Sequence, residues 1–486
     1  MVAVGLQENL KTGARRLMSR RALKVLGELA AVRGLQVYLV GGTVRELALG
    51  RSAPDLDLAV SAQTLNLARD LAAALGGTFV LLDEKECTAR VVWQEEILDL
   101  AEFRAPTLEG DLWGRDFTLN ALALNLAAIL QGRPLILADP CGGLADLSRG
   151  WLKMVSEKNF QDDPLRLLRA YRFAATHGFT ITPETTAAIQ AHVPEFSRVA
   201  AERVHHELFL LLGAPRAGFI LGEMAQVDLL TQIFPELMDS RGVEQNGFHH
   251  LDVFYHSLET VVRLEEVLAA PQKFFGDLAP EMIRYAESRS KAALVKLAAL
   301  FHDVGKPQVR ERRQDPERYT FYYHERVGLE LFDGLALRLR FSLAEVKTVA
   351  TLISLHMRPF LLLPAFRRGE LSLRALGRLV RAARPEFCGL FALAMADSLA
   401  GQGPQKPGDS EAVLADLADA AYRFLKERLE PQERLPRLLT GHDLIKILGL
   451  KPGPQFKRLL TAVQEAQWEG LVNTREEALE MVRRLL

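Results

Sequence analysis

The chain has 486 residues, of which 49% are hydrophobic and 25% charged, and its formal net charge is −1. This length predicts more than one domain, and the composition is that of a globular protein with a sizeable core. The near-zero net charge gives no global sign of a polyanion partner. Three distant cysteines (Cys87, Cys141 and Cys388) lack CxxC spacing, which excludes a cysteine-rich zinc site and suits a reducing compartment. No secretion signal and no bilayer-spanning apolar run stand out, so we predict a cytoplasmic protein without a membrane partner.

The first segment, residues 1–34, is predicted to be helical and basic. A basic face on a neutral protein is compatible with a polyanion, although a solvated helix gives the same composition. The first 54 residues contain only three glutamates but many cations, namely Lys11, Arg15, Arg16, Arg20, Arg21, Lys24, Arg33, Arg45 and Arg51.

The stretch Tyr38–Val60, YLVGGTVRELALGRSAPDLDLAV, is the most informative part of the chain. Glycines at the end of a strand let backbone N–H groups approach a phosphate, and strand residues two apart can share a divalent cation. A turn followed by solvated aspartates explains either motif alone. Their combined spacing, with an arginine between them, favours the apparatus of metal-assisted nucleotidyl transfer. The residues concerned are Gly41, Gly42, Arg45, Asp55 and Asp57.

The remaining chain divides by pattern. Short β-like runs alternate with helical stretches between about residues 35 and 154, which predicts an α/β region. From Asp163 onward nearly everything has helical periodicity, with helices expected near 184–194, 201–213, 215–229 and 250–268. We predict five segments: 1–34 basic and helical, 35–155 a mixed-sheet head, 156–245 a helical neck, 246–400 a helical histidine-rich domain, and 401–486 a helical tail.

Two further blocks carry charged residues suited to nucleotides. In DLWGRDFTLN, Arg115 can bind a triphosphate or a ribose hydroxyl, and Asp116 can orient that arginine. In DDPLRLLRAYRF, Asp163 and Arg166 are three apart on a predicted helix and offer an acceptor and a donor fork to a base edge. Ordinary surface ion pairs remain the alternative for both blocks.

In their order, GGTVR with DLD, RDFTLNA, DPCGGLADL, DDPLRLLRAYRF and AERVHHEL resemble the motifs of class II tRNA nucleotidyltransferases and the related bacterial poly(A) polymerases. The resemblance covers roughly residues 35–240. It implies that Asp55 and Asp57 hold Mg²⁺ and are catalytic, and that the basic and C-terminal helices grip tRNA. It also implies a nucleotide site for CTP and ATP made by Gly41, Gly42, Arg45, Arg115, Asp116, Asp163, Arg166 and Arg169.

The chain departs from the family pattern at four places. Glu46 stands where aspartate is usual, Gly114 replaces the first arginine of the usual RRD, and Asp162 stands where glutamate is common. The segment RAPTLEGDLW is short where many CCA-adding enzymes carry a longer loop, which resembles enzymes that add only the two cytidines. Addition of CC and of the full CCA both remain open, because loop length discriminates weakly.

A histidine-rich block lies further along the chain. Imidazoles and carboxylates are normal ligands of first-row transition metals, although any single histidine is more often a core residue. The series H…HD…H…H…D resembles the HD superfamily of metal-dependent phosphohydrolases over about residues 248–400. That resemblance implies a divalent transition metal on His256, His302, Asp303 and Asp397, with His324 and His356 completing a second metal position.

Together these features predict an α+β protein, with a small mixed-sheet nucleotidyltransferase head followed by an all-α body that includes the HD domain. The predicted reaction is template-independent addition of C, A or both to the tRNA 3′ end. A bacterial poly(A) polymerase is the near alternative. An HD phosphohydrolase with an RNA-binding head is the alternative from another class. The oligomeric state is left open.

Overall fold

The computed structural model describes residues 2–53, 55–314, 317–433 and 437–486. The chain forms two compact units. The first contains residues up to 207 together with 226–232, and the second contains residues 208–225 and 233–486. The predicted division into five segments remains a prediction.

The basic N-terminal segment is helical, as α1 (Val2–Leu17) and α2 (Arg21–Val32). Helix α1 buries Leu10, Ala14 and Leu17, and α2 buries Leu23 and Leu26. Apolar residues recur three or four positions apart in both helices, so each has one apolar stripe that packs on the rest of the head, while most of the cations face solvent.

A seven-stranded mixed sheet with strand order β3-β4-β5-β2-β1-β6-β7 forms the head. Strand β2 pairs parallel to β5, and the other neighbours pair antiparallel. The sequence pattern missed β6, because its three residues continue an apolar run directly into a helix. The strands are β1 (Val37–Val40), β2 (Asp55–Val60), β3 (Thr78–Asp83), β4 (Thr88–Trp93), β5 (Glu96–Glu102), β6 (Ala123–Asn125) and β7 (Leu137–Ala138).

Helices in the head connect these strands, and a short parallel strand pair lies beyond them. The helices are α3 (Gly41–Ala48), α4 (Thr64–Leu75), α5 (Leu108–Trp113), α6 (Leu126–Leu130), α7 (Gly143–Arg149), α8 (Lys158–Asp162) and α9 (Leu165–His177), and the strand pair is β8 (Trp151–Leu152) with β9 (Thr180–Ile181). The helices predicted near 184–194, 201–213 and 215–229 are α10 (Pro183–His192), α11 (Ala201–Leu212) and α12 (Ala217–Gln226), and the short α13 (Leu229–Ile233) was not predicted.

Within the described residues, the second unit is helical apart from one antiparallel strand pair, β10 (Glu311–Gln314) with β11 (Glu317–Thr320). That strand pair is an addition to the predicted all-α body. The helices are α14 (Val253–Ala269), α15 (Ala279–Glu287), α16 (Arg289–Phe301), α17 (His324–Arg338), α18 (Leu343–Leu355), α19 (Arg358–Arg367), α20 (Leu373–Ala383), α21 (Phe387–Ala400), α22 (Ser410–Phe424), α23 (Glu430–Glu433), α24 (Gly441–Lys446), α25 (Pro454–Trp468) and α26 (Arg475–Leu485).

One helical stretch, Leu343–Arg367, is long and apolar enough to cross a membrane by length and composition alone, with a mean hydropathy of 1.5. It is made of α18 and α19, which meet at His356, and the His356 side chain is fully buried among helices. The core helix of a helical domain meets the same criterion, but only 33% of this window is buried.

Candidate active site

The turn from β1 into α3 brings the backbone of Gly42 and Thr43 close to the Asp57 carboxylate. Gly41 has φ +59°, and a Cβ on Gly42 would lie 2.9 Å from Asp57 Oδ2, so neither position accepts a side chain without strain or displacement. Thr43, whose role the sequence did not reveal, links the two motifs. Its hydroxyl accepts from the Asp57 N–H at 2.7 Å and donates to the Asp55 carbonyl at 3.4 Å.

The carboxylates converge on one face of the sheet. Asp55 and Asp57 are two apart on β2, and Asp99 on β5 is the register partner of Asp57. Burial raises the pKa of Asp57, and the negative charge of Asp99 raises it further. Arg90 on β4 holds Asp99 with two hydrogen bonds, of 2.7 and 2.9 Å. A bound cation would relieve the repulsion between Asp57 and Asp99.

Arg45 lines the same pocket but is largely occupied by protein groups. It donates to Asn120 Oδ1 at 2.5 Å and to Glu46 Oε1 at 3.0 Å, and its guanidinium lies 5.0 Å from the Phe173 ring centroid. Glu46, the departure from the family aspartate, also reaches His177 Nε2 at 3.1 Å. Burial opposes its ionisation, but the hydrogen bond from His177 and the charge of Arg45 lower its pKa to about 2.

The pairing expected between Arg115 and Asp116 is wrong. Asp111, one helical turn earlier, orients Arg115 with contacts of 2.9 and 3.2 Å. Asp116 is buried and accepts two hydrogen bonds from Arg169, at 2.8 and 3.0 Å, whose charge lowers the pKa of Asp116 although burial alone would raise it. Arg169, which lies on α9, also donates to Glu207 on α11 at 3.0 Å. It therefore links the segment after α5 to α11 and has few N–H groups left for a base.

The expected base-reading pair is brought together, although not on one helix. Asp163 follows α8 in extended backbone (φ −142°, ψ 92°), and Arg166 lies in the first turn of α9. Arg203 on α11 donates to both Asp163 oxygens, at 3.1 and 2.8 Å. Burial lowers the pKa of Arg166, and its Nη1 is a buried donor that lacks a hydrogen-bond partner within the described residues. Asp162 is exposed.

The predicted nucleotide-binding residues and Asp57 line one cavity of about 550 Å³, which we call the head pocket. Asp55 is exposed at the start of β2 and is not among its lining residues. Its volume suits a small-molecule ligand such as a nucleotide. The sequence analysis did not single out its Arg104, Asn120 and Arg203. The lining includes Gly41, Gly42, Arg45, Asp57, Asp99, Arg115, Asp116, Asp163, Arg166, Arg169 and Arg172.

The segment RAPTLEGDLW contains little free loop. Only residues 103–107 connect β5 to α5, and the rest of the segment is the short helix, begun by the Thr107 side chain as its N-cap. The structure describes every residue of this connection, and it leaves no long loop between the Asp99 strand and Arg115.

The second unit gathers the predicted histidines and aspartates at helix ends. His256 lies in the first turn of α14, His302 directly follows α16, His324 begins α17, and His356 directly follows α18. Asp397 comes from α21, which packs against α14. Because His302 and Asp303 stand where α16 ends, both side chains reach inward. All six predicted ligands are buried.

Asp303 lies at the centre of this group. Its Oδ2 lies 3.2 Å from His302 Nε2 and 3.7 Å from His256 Nε2, while its Oδ1 lies 3.3 Å from His324 Nε2 and 3.7 Å from His356 Nε2. His256 Nε2 is also 3.0 Å from Asp397 Oδ1. One carboxylate thus faces two sets of imidazoles, one with each oxygen.

The donor chemistry fits divalent cations. His324 and His356 each place Nδ1 within 2.8 Å of a backbone carbonyl, which fixes the proton there and leaves two Nε2 lone pairs facing each other at 3.0 Å. Within the described residues, His302 Nε2 and Asp303 Oδ1 are buried without a hydrogen bond of good geometry. Such opposed and unsatisfied acceptors are costly unless a cation lies between them.

The site contains one histidine that the sequence analysis did not assign. His249 forms, with His256 and Asp397, a group whose potential ligand atoms lie within 4.8 Å of one another. We call His249 and the six predicted ligands the histidine cluster. Lys306 reaches the same place from the turn after Asp303 and donates to its Oδ2 and to Gln245 Oε1. Sequence reasoning missed His249 because HH-x₅-H has no regular ligand spacing.

Comparison with known protein families matches three consecutive parts of the chain. Residues 37–153 match the poly A polymerase head domain. Residues 178–240 match a probable RNA and SrmB binding site of polymerase A. Residues 253–422 match the HD domain.

Several tRNA nucleotidyltransferases match nearly the whole chain, among them the following two. The A-adding tRNA nucleotidyltransferase of Deinococcus radiodurans is 37% identical, over 92% of this chain and 94% of the relative. The CC-adding tRNA nucleotidyltransferase of Thermus thermophilus is 36% identical, over 91% and 92%. Among solved structures, a CCA-adding enzyme complexed with CTP has a TM-score of 0.65 at 20% identity over 97% of both chains. The Thermotoga maritima CCA-adding enzyme complexed with tRNA has a TM-score of 0.60 at 22% identity, over 95% of this chain and 94% of that one.

Proposed function

The chain belongs to the tRNA nucleotidyltransferase family, and from this we propose that it adds nucleotides to the 3′ end of tRNA and stops after the two cytidines. The observation that carries the proposal is the head pocket, in which the carboxylates of Asp57 and Asp99 and the pair Asp163 and Arg166 line one cavity. Asp57 and Asp99 supply carboxylates for the reaction centre. Arg166 supplies a hydrogen-bond donor, and Asp163 an acceptor, for the nucleotide base.

In the proposed reaction the tRNA 3′-hydroxyl attacks the α-phosphate of CTP in line, and pyrophosphate leaves. Mg²⁺ ions on Asp55 and Asp57, with Asp99 beside them, would neutralise phosphate charge and increase the acidity of the hydroxyl. Backbone N–H groups of the β1–α3 turn and Arg115 bind the triphosphate. Asp163 and Arg166 select the base, and Arg203 holds Asp163 in place.

The limit to CC addition is supported by the short connection at residues 103–107. Because only these residues join β5 to α5, the connection has no long loop. A long loop here could change the shape of the pocket between the addition of cytidine and the addition of adenosine. The named relatives include both CC-adding and A-adding enzymes, so similarity alone does not choose between them.

The test uses purified full-length protein with tRNA that ends at the discriminator base and with tRNA that ends in CC. Each is given CTP, ATP or both with Mg²⁺, and products are resolved at single-nucleotide length. Two cytidines on the first tRNA and no adenosine on the second support the proposal. Adenosine on the CC-ended tRNA contradicts the CC limit. A long adenosine tail indicates a poly(A) polymerase, and no incorporation contradicts the transferase assignment.

A second activity, metal-dependent phosphohydrolysis, is supported by the histidine cluster. A divalent transition metal would be held by His256, His302, Asp303 and Asp397, and another by Asp303, His324 and His356. Such ions supply Lewis acidity and an acidic water for attack on phosphorus. Removal of a cyclic or terminal phosphate from an RNA 3′ end would prepare that end for nucleotide addition.

The assay for this activity uses tRNA blocked by a 2′,3′-cyclic or a 3′-phosphate, with Mn²⁺, Co²⁺ or Ni²⁺ added separately. Release of phosphate or ring opening that disappears in Asp303→Asn and persists in Asp57→Asn supports it. Equal activity in Asp303→Asn and wild type contradicts it. Location in the cytoplasm, where both activities would meet tRNA, remains a prediction.

A further inference from the structure

The segment that carries His249 is fixed over the Asp397 end of the histidine cluster. The loop after α21 pairs with it: Gly403 N–H donates to the Phe248 carbonyl at 2.8 Å, and Gln405 N–H donates to the Gly247 carbonyl at 2.9 Å. A Cβ on Gly403 would lie 2.3 Å from the Gly247 carbonyl oxygen, so the two backbones approach this closely only because glycine stands there. The position of His249 is therefore set by backbone contacts as well as by its own side chain.

The protonation pattern of His249 is fixed by its neighbour. Its Nδ1 lies 3.1 Å from Asn246 Oδ1, and that same oxygen accepts the Phe248 N–H at 3.2 Å. Because an N–H donates to this Asn246 atom, it is the amide oxygen, and His249 Nδ1 therefore carries the proton. The lone pair of Nε2 is left for another partner. The His249 ring stands at 89° to the His256 ring, with centroids 4.6 Å apart.

Three ligands of the predicted set have the same arrangement. His302, His324 and His356 each direct Nδ1 to an oxygen three residues earlier, on Ala299, Phe321 and Ile353, at distances of 2.7–2.8 Å. His249 directs Nδ1 to an oxygen on Asn246, also three residues earlier. Metal-binding histidines commonly donate their second ring N–H in this way, which fixes the tautomer and the ring orientation.

We propose that His249 is a further metal ligand, through Nε2, of the ion that His256 and Asp397 hold. This role for His249 rests on the metal centre proposed above. The potential ligand atoms of the three residues lie within 4.8 Å of one another, so small side-chain movements bring them onto one ion. His256 has a single nitrogen facing Asp397 and Asp303, so His249 joins that same ion instead of forming a separate site.

This assignment makes the two metal positions unequal. The first would have as many as five protein ligands, His249, His256, His302, Asp303 and Asp397, which leave a six-coordinate ion one position for water or substrate. The second would have only Asp303, His324 and His356. The position with fewer protein ligands has more room for substrate, as catalytic sites do, whereas a position held mostly by protein is typical of a structural or charge-holding role.

The test is a Co²⁺ titration of the metal-free full-length protein, followed by visible absorption and by the bound metal content. His249→Asn is compared with wild type. His250→Asn is the matched control, because His250 is the adjacent histidine of the same loop, is exposed, and uses its Nδ1 to accept the Gln402 N–H. Thermal unfolding of the metal-free proteins checks that each variant is folded.

We expect wild type and His250→Asn to bind two Co²⁺ per chain alike. His249→Asn should bind one of the two ions on the order of 100-fold more weakly, with a changed absorption spectrum. Loss of a group that only hydrogen-bonds to a metal ligand costs about 10–100-fold in affinity, and loss of a ligand itself should cost at least as much. Asn246→Ala should weaken the same ion by about tenfold. Wild-type affinity and spectrum in His249→Asn overturn the assignment of His249. Absence of Co²⁺ uptake by wild type overturns the metal centre itself.

Discussion

At the scale of single residues, Arg166 carries the clearest sign of a missing ligand. Most arginines around the head pocket are held by acids: Arg115 by Asp111, Arg169 by Asp116 and Glu207, and Arg203 by Asp163. Arg166 is desolvated, its pKa is lowered by burial, and its Nη1 is unsatisfied within the described residues. A buried donor without a partner is unfavourable. A base that accepts a hydrogen bond from Arg166 should therefore gain more binding free energy than it would from a solvated arginine.

We therefore expect Arg166→Ala to reduce the preference for the correct nucleotide by roughly 10- to 100-fold in kcat/KM, the value of one charged hydrogen bond. The measurement is single-nucleotide incorporation of CTP against ATP and UTP. Arg198→Ala is the control, because Arg198 bonds backbone carbonyls at the surface and does not line the pocket. Unchanged discrimination in Arg166→Ala would contradict its role in base selection.

Glu46 makes a pH-dependent contribution to the stability of the head. Its pKa falls from 4.5 to about 2 in the fold, so the stabilisation is present above pH 4.5 and is lost as the pH falls toward 2. Glu46→Gln should lower the local unfolding free energy near α3 by about 2–3 kcal/mol at pH 7, and the difference should shrink steadily below pH 4.5. Hydrogen exchange of α3 and α9 amides measures it. Glu184→Gln, at an exposed ion pair, should have no such effect.

At the scale of elements, the carboxylates of the transferase site are positioned by a strand–turn–helix–strand segment. It consists of β1, the glycine turn, α3 and β2. Thr43 bonds both Asp55 and Asp57 backbones, and the turn leaves space for the Asp57 carboxylate where a side chain would otherwise stand. The element thus sets the carboxylate position by backbone geometry. A sub-ångström shift there matters because in-line transfer depends on alignment.

Gly42→Ala tests this geometry. Its Cβ would lie 2.9 Å from Asp57 Oδ2 and should displace the carboxylate, so we expect a loss of transfer of about 100-fold with the protein still folded. Gly5→Ala is the matched control, since Gly5 in α1 has no atom within 4 Å of the added Cβ. That variant should keep full activity and gain at most about 1 kcal/mol of stability. Full activity in Gly42→Ala would show that the turn tolerates a side chain.

Helix α25 is the element of the C-terminal tail that we expect to contact tRNA phosphates. Lys457 and Arg458 are exposed on it, while Leu459 and Val463 anchor its other face in a small apolar core. Replacing both cations by alanine should weaken tRNA binding uniformly across sequences and reduce the slope of log K against log salt by about 1.4–1.8. Filter binding over a salt series measures this. Arg368→Ala, at a surface ion pair with Glu370, should leave the slope unchanged.

At the scale of the whole molecule, each compact unit has its own group of neighbouring acids, half-buried around Asp57 in one and buried around Asp303 in the other. Each group is completed within its unit, so the two activities should be separable. Asp57→Asn should lower nucleotide transfer on the order of 10³-fold, the worth of several kcal/mol of charge stabilisation, and leave phosphohydrolysis intact. Asp303→Asn should do the reverse. Loss of both activities in either variant would contradict independent sites.

Local pattern determined much of this protein. Period-two alternation and the glycines located β1, β2 and the acid pair, and helical periodicity located α9 to α12 and α14, because these features depend on neighbours in sequence. The resemblance of the series H…HD…H…H…D to the HD superfamily also selected six residues that the structure brings together in the histidine cluster. The family was recognisable because each of its motifs is a short segment of neighbouring residues.

Only the tertiary structure decided which charges meet. Arg115 pairs with Asp111 and Arg169 with Asp116 and Glu207, whereas adjacency in sequence suggested Arg115 with Asp116. Asp99 lies beside Asp57 because β5 pairs in parallel with β2, and His249 lies beside His256 because a glycine-lined loop holds it there. Strand register and helix packing decide which charged side chains pair, which are buried, and that the Arg166 Nη1 donor lacks a partner. Those are set by the whole chain, so no local pattern in the sequence contains them.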